Sequence, residues 1–188
     1  MQEFTTPDFL QDAKQLLSAS GFATNGVWYH GTSSGLVESI QEVGLVGTGD
    51  LEGMKKYLET MGTIGHEASK HRDPLFLTQS KELAYFWANR TAHNRNLYFQ
   101  KGETPVVFEL NMPEELESKV TTDAGGAALV LEPGNLYILW LEDLYKKNGL
   151  ELTKPDPFSC DRMDYQNLLG LAYLDAPVPA EYVKLLSE

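Results

Sequence analysis

The stretch Val27-Trp28-Tyr29-His30-Gly31-Thr32-Ser33-Ser34 decides how this chain is read. Its first half is aromatic and β-branched, which is the composition of a strand. Its second half is small and polar, which is the composition of a turn. A histidine thus stands where a strand ends, and a strand end is where a sheet presents side chains to a cleft. The glycine beside it permits close approach of a ligand to the backbone. Ser33 or Ser34 then caps a helix that turns Leu36, Ile40 and Val43 inward and stops at Gly44.

Upstream, Thr6-Pro7-Asp8 reads as the start of a helix carrying Phe9, Ala13, Leu16 and Leu17 on one face, with Gly21 as its stop. Downstream, residues 47–73 hold five glycines and little periodicity. They read as a long loop over a cleft, with a helical piece around Met54 to Met61. Leu75-Phe76-Leu77 is a short strand, and Ser80 caps a helix with Leu83, Ala84 and Trp87 inward. Val106 to Leu110 is a further strand. Ala127 to Leu131 and Leu136 to Leu141 also read as strands, and Glu142 to Lys147 as a helical turn ended by Asn148-Gly149. Leu168 to Leu174 and Tyr182 to Leu186 read as a closing pair. The pattern predicts an α+β domain with a split or curved sheet and flanking helices.

At 188 residues the chain makes one domain, 1–188, large enough to bury a core without disulfides. The single cysteine, Cys160, allows no intrachain disulfide and no cysteine-built zinc site, and no metal is expected. No apolar run reaches the roughly 18 residues of a membrane span. No basic start followed by an apolar stretch is visible, so the expected location is cytoplasmic, or a host cytosol if the protein is delivered there. The formal net charge of −12 repels phosphate backbones at long range and ranks nucleic acid low among partners.

Neither standard nucleotide-binding glycine loop is present. His66 and His71 lie in the glycine-rich stretch without the frame of a zinc peptidase, and His93 sits between Arg90 and Arg95. These three read as solvated histidines. His30 is the one whose position points to a site.

Tyr29-His30-Gly31-Thr32, followed by Ile40 and Gly44-Leu45, resembles the first motif of the ADP-ribosyltransferase fold. Leu75-Phe76-Leu77-Thr78, with Ser80-Lys81-Glu82-Leu83-Ala84-Tyr85, resembles the second strand and Ser-Lys helix of poly(ADP-ribose) polymerase-like domains. Ala176-Pro177-Val178-Pro179-Ala180-Glu181-Tyr182-Val183 resembles the closing strand entry of many bacterial members. The order and separation of the three motifs, across about residues 27 to 185, carry the resemblance.

The resemblance implies NAD as substrate. His30 would hold a ribose hydroxyl, Gly31 would offer backbone hydrogen bonds to the nicotinamide amide, and Thr32 would add a hydroxyl. Phe76 and Tyr85 would supply the ring pair that stacks on nicotinamide, a flat cation that π-faces attract. In the family a glutamate near the start of a late strand stabilises the oxocarbenium-like transition state. Its place here falls near Leu168 to Leu171, where no acid stands. Gln166 is the first substitute by sequence order, then Asp175 and Asp164, with Glu132 more distant. The implied activity is mono-ADP-ribosyl transfer to a macromolecular acceptor, chiefly protein, as in a bacterial effector or toxin, through His30, Tyr85 and Gln166. Two other readings stay open, beside that of a structural or interaction domain in which His30 is only a satisfied strand-end residue. One is a non-catalytic NAD- or ADP-ribose-binding module. The other is an enzyme like the RNA 2′-phosphotransferases, which share the His-Gly-Thr strand but need a second histidine where Phe76 stands.

Overall fold

Residues 5–47, 74–123 and 125–188 are described by a computed structural model. The loop expected over 47–73, from 48 onward, lies outside them, and so do its Met54–Met61 helix, His66 and His71.

The N-terminal segment is broken into short pieces where one helix was expected. A 3-10 turn at Asp8–Leu10 is followed by α1 (Ala13–Leu16) and the hairpin of β1 (Leu17–Ser18) and β2 (Gly21–Phe22). Leu10 is buried in place of Phe9. The cause is tertiary. The Asp12 carboxylate is drawn to another helix, and its backbone leaves helical geometry at φ −125°. Gly21 is no helix stop. It has φ +101° in β2, and a Cβ there would lie 2.3 Å from the Asn167 carbonyl oxygen.

Next come β3 (Trp28–Ser33), a 3-10 turn at Ser34–Leu36 and α2 (Val37–Val43), which ends at Gly44 with φ +81°. Ile40 is buried as expected, but Val43 is exposed. After β4 (Leu75–Leu77), Ser80 Oγ accepts from the Glu82 N–H and starts α3 (Lys81–Phe99). β5 (Pro105–Leu110), α4 (Glu114–Glu117) and β6 (Thr121–Thr122) follow.

Ala127–Leu131 and Leu136–Lys147 are helices α5 and α6, correcting the two strands expected there. The buried residues of α6 are Tyr137, Ile138, Leu141, Leu144 and Tyr145, a helical spacing hidden within a continuous apolar run. The Asn135 side chain accepts from the Tyr137 and Ile138 N–H groups and fixes the helix start. Helix α7 (Arg162–Leu169) takes Leu168 and Leu169 out of the expected closing strand and leaves β7 only Ala172–Leu174. β8 (Val183–Leu186) closes the chain.

The strands form two small antiparallel sheets besides the hairpin, ordered β3-β5-β8 and β4-β7-β6. β7 therefore pairs with β4 and β6, and β8 with β5, so the expected closing pair does not form. The sheets meet at one bridge. Tyr29 N–H donates to the Thr78 carbonyl, and Thr78 N–H donates to the Tyr29 carbonyl, both at 2.9 Å. This is an α+β architecture.

Three cores hold it together. One gathers Trp28, Leu75, Leu77, Phe108, Leu110 and Leu174 from both sheets, with Ile40 of α2. A second lies among the helices, where Phe86, Trp87, Tyr137 and Trp140 pack with ring centroids 4.9–6.0 Å apart. A thin third core presses Ala84 and Ala88 of α3 onto Tyr29 and Val107. Among the described residues no helix is long and apolar enough to cross a membrane.

Candidate functional site

The two sheets part next to His30. In an antiparallel ladder a residue turns its N–H and C=O to the same neighbouring strand, and the direction alternates along the chain. Tyr29 gives both groups to Thr78 of the β4 side. Gly31, two residues on, therefore turns its N–H and C=O the same way, but the bridge at Tyr29 has no successor there. Trp28, His30 and Thr32 face β5 with their backbone groups, opposite Leu110, Phe108 and Val106. Among the described residues, β3 and β4 thus part beyond Tyr29 and leave a gap in the ladder, toward which Gly31 turns its donor and its acceptor.

His30 reaches across this gap. Its Nδ1 lies 2.9 Å from the Phe76 carbonyl oxygen. A carbonyl only accepts, so Nδ1 carries the proton and Nε2 holds the lone pair. Burial pushes the His30 pKa below the ordinary histidine value, against a smaller opposing effect of the Phe76 carbonyl. The ring is therefore neutral at pH 7, and Nε2 is an acceptor suited to a hydroxyl.

Gly31 has a second reason to be glycine, one that the sequence does not reveal. A Cβ at this position would lie 1.8 Å from the Ala84 carbonyl oxygen and 2.8 Å from the Ala88 nitrogen. The backbone that comes close on this face is that of α3, while the polar edge of the residue faces the gap. Thr32 is buried, opposite Val106 of β5.

Phe76 is 54% exposed between the buried Leu75 and Leu77. It is thus no core residue, and its ring stands on the open face of β4. Its register partner is Tyr173 of β7, itself opposite Thr121 of β6. Sequence reasoning missed Tyr173. Only the register sets it beside Phe76, and no local pattern in Ala172–Leu174 reveals that register. Tyr85 is half-buried on α3 and packs against the thin core of Leu10, Tyr29, Ala84, Ala88 and Val107.

Gln166 is 3% exposed and sits on α7 rather than at a strand entry. Its Oε1 accepts from Thr122 Oγ1 at 3.1 Å, and its carbonyl accepts from Gln79 Nε2 at 3.4 Å. Its amide oxygen joins α7 to β6. The residues leading into β7 are Leu169, Gly170 and Leu171, which carry no charge. The other acids named from sequence order, Asp164, Asp175 and Glu132, lie on α7, after β7 and after α5 respectively.

Buried carboxylates stand elsewhere, and each is already held. Asp12 and Glu82 bind helix starts, and Glu103 binds Arg95 and Ser33. Two surface concavities of about 410 and 400 Å³ are lined by other residues, around Glu142–Leu152 and around Lys154, Cys160 and Asp164. No group of three His, Cys, Asp or Glu that could hold a metal occurs among the described residues. No protein-family model, curated protein or solved structure matches this chain.

Proposed function

We propose that the gap between β3 and β4 binds the nicotinamide end of NAD, and that the chain is a mono-ADP-ribosyltransferase with a split-sheet ADP-ribosyltransferase fold. The observation that carries this reading is the Gly31 edge. A primary carboxamide presents one acceptor and one donor, the complement of the N–H and C=O that Gly31 turns into the gap. Neutral His30 supplies an acceptor for a ribose hydroxyl beside it, and the exposed Phe76 ring supplies a face for the pyridinium. In the transfer, the bond from ribose C1′ to the nicotinamide nitrogen breaks and nicotinamide leaves with the electron pair. The acceptor nucleophile bonds to C1′ and loses its proton to solvent. The acceptor of this reading is protein, and the place of action a cytosol, the cell's own or a host's.

A second reading rests on Gln166. Its amide oxygen accepts from Thr122, and no charged residue leads into β7, so the chain would bind NAD without breaking it. One experiment separates the readings. The protein is titrated with NAD in a calorimeter, then incubated with labelled NAD and a cell lysate, with nicotinamide release and labelled macromolecules scored separately. Transfer predicts both, and the binding module predicts affinity alone. His30→Ala should weaken NAD binding by about 10- to 100-fold, the loss of one buried hydrogen bond. A folded His30→Ala protein with unchanged affinity overturns the NAD reading altogether.

A further inference from the structure

Beyond His30 and Gly31, the chain turns at Ser33-Ser34-Gly35, and that turn is held by a built-in clamp. Ser33 is fully buried, and its Oγ donates to Glu103 Oε2 at 2.5 Å. Arg95 of α3 grips the same carboxylate with both arms, Nε to Oε2 at 2.6 Å and Nη2 to Oε1 at 3.1 Å. Its guanidinium also lies 4.8 Å above the Phe99 ring. Asn96, the next residue of α3, exchanges two 2.7 Å hydrogen bonds with the Glu103 backbone. Ser34 N–H donates to the Thr104 carbonyl at 2.8 Å, and Thr104 N–H donates to Ser34 Oγ at 2.9 Å. A Cβ on Gly35 would lie 2.3 Å from Glu103 Oε1, so this glycine leaves the room that the carboxylate fills.

The clamp is chemically specific. A bidentate guanidinium–carboxylate pair fixes orientation as well as distance, unlike a lysine point charge. Arg95 holds the Glu103 carboxyl below the usual range, so it is ionised whenever the chain is near neutral pH. Glu103 has no freedom to serve as the missing acid, because Arg95 and Ser33 already hold its oxygens. What it does is connect the end of β3 to α3, the helix that also presses on Gly31. Gly31 is thus fixed from two sides, by α3 beneath it and by the Ser33 anchor two residues ahead.

We propose that Glu103, oriented by Arg95, is the positioning residue of the gap, setting the direction of the Gly31 N–H and C=O and hence the affinity for a carboxamide-bearing ligand. This inference rests on the reading of the gap as a nicotinamide site.

The test combines Glu103→Gln and Ser33→Ala with two measurements, amide hydrogen exchange and NAD titration. Ser33→Ala removes the anchor without leaving Arg95 unpaired, so it decides the matter if Glu103→Gln does not fold. In Glu103→Gln, exchange at Thr32, which faces β5, and at Ser34, which is bonded to Thr104, should rise at least tenfold relative to Ala172–Leu174 of β7. The dissociation constants for NAD and for free nicotinamide should rise by a similar factor. Ser33→Ala should move both in the same direction by about threefold or more. If exchange rises equally in β7, Glu103 contributes only general stability and the proposal falls. It falls equally if the exchange at Thr32 and Ser34 rises while NAD affinity stays unchanged. If the unmodified protein binds neither NAD nor nicotinamide, the nicotinamide reading of the gap and the affinity claim are both overturned. The exchange ratio then decides, independently, whether Glu103 holds the turn.

Discussion

Gly31 answers to two neighbours at right angles. Toward α3 it must lack a side chain, and toward β4 it offers a bare amide edge. Gly31→Ala tests the first demand. The new Cβ would sit 1.8 Å from a helix carbonyl, and backbone cannot rotate away as a side chain can. Overpacking of this kind costs about 1–3 kcal/mol, and urea denaturation should show a loss in or above that range. A loss under about 0.5 kcal/mol would mean that α3 does not approach as closely as described. At this scale the sequence marked His30 and Gly31 as special. It did so for the glycine on the expectation of an approaching ligand, whereas the close approach on its Cβ side is made by Ala84 and Ala88 of a helix fifty residues away. Phe76 illustrates the opposite outcome. It stands between two core leucines in an apolar triplet, yet its ring is exposed on the open face of β4.

The N-termini of α1 and α3 cap each other. Asp12 accepts from Ser80 Oγ at 2.6 Å and from the Lys81 N–H at 2.8 Å, while Glu82 accepts from the Asp12 and Ala13 N–H groups at 3.0 and 2.6 Å. Carboxylates at helix starts are favourable, but here burial outweighs the donors and raises both pKa values above the ordinary 3.8 and 4.5. The folded state therefore binds these protons more tightly than the unfolded chain does. Stability from this source is full below the ordinary values and is lost as pH rises through the raised ones. Glu82→Gln keeps an oxygen for both N–H groups and removes the charge. It should match or exceed the parent in stability at pH 7 and flatten the decline that sets in as pH rises above the ordinary 4.5, read by denaturation at a series of pH values. An unchanged slope would assign the pH dependence to other groups. Much at this scale was legible. The Ser80 cap, the Leu83–Ala84 stripe and the strand at 105–110 follow from local chemistry. Helices α5 and α6 did not, because an unbroken apolar run carries both periods at once and only packing against Phe86 and Leu169 selects one. The Asp12–Glu82 exchange was out of reach, since residues seventy apart in sequence share no local signal.

Across the whole molecule, the two three-stranded sheets share one core and are bridged through their backbones at Tyr29 and Thr78, while the helices pack in a core of their own. The α+β class and a divided sheet were readable from the alternation of elements. Strand partners were not, because Leu174 and Leu185 are equally apolar, and only the register sends one to β4 and the other to β5. The separation of cores has an optical consequence. Of the three tryptophans, Trp28 lies alone among aliphatic residues of the sheets and Phe108, its indole N–H unpartnered and sealed from water. Trp87 and Trp140 flank Tyr137 at 4.9 and 6.0 Å in the helical core, close enough for their transitions to couple. Emission from Trp28 should be blue-shifted, and the near-ultraviolet circular dichroism should come mainly from the helical pair. Heating while recording both signals would follow each core by its own light. Coincident melting curves would mean a single cooperative unit, and curves that separate would show the seam between them opening first.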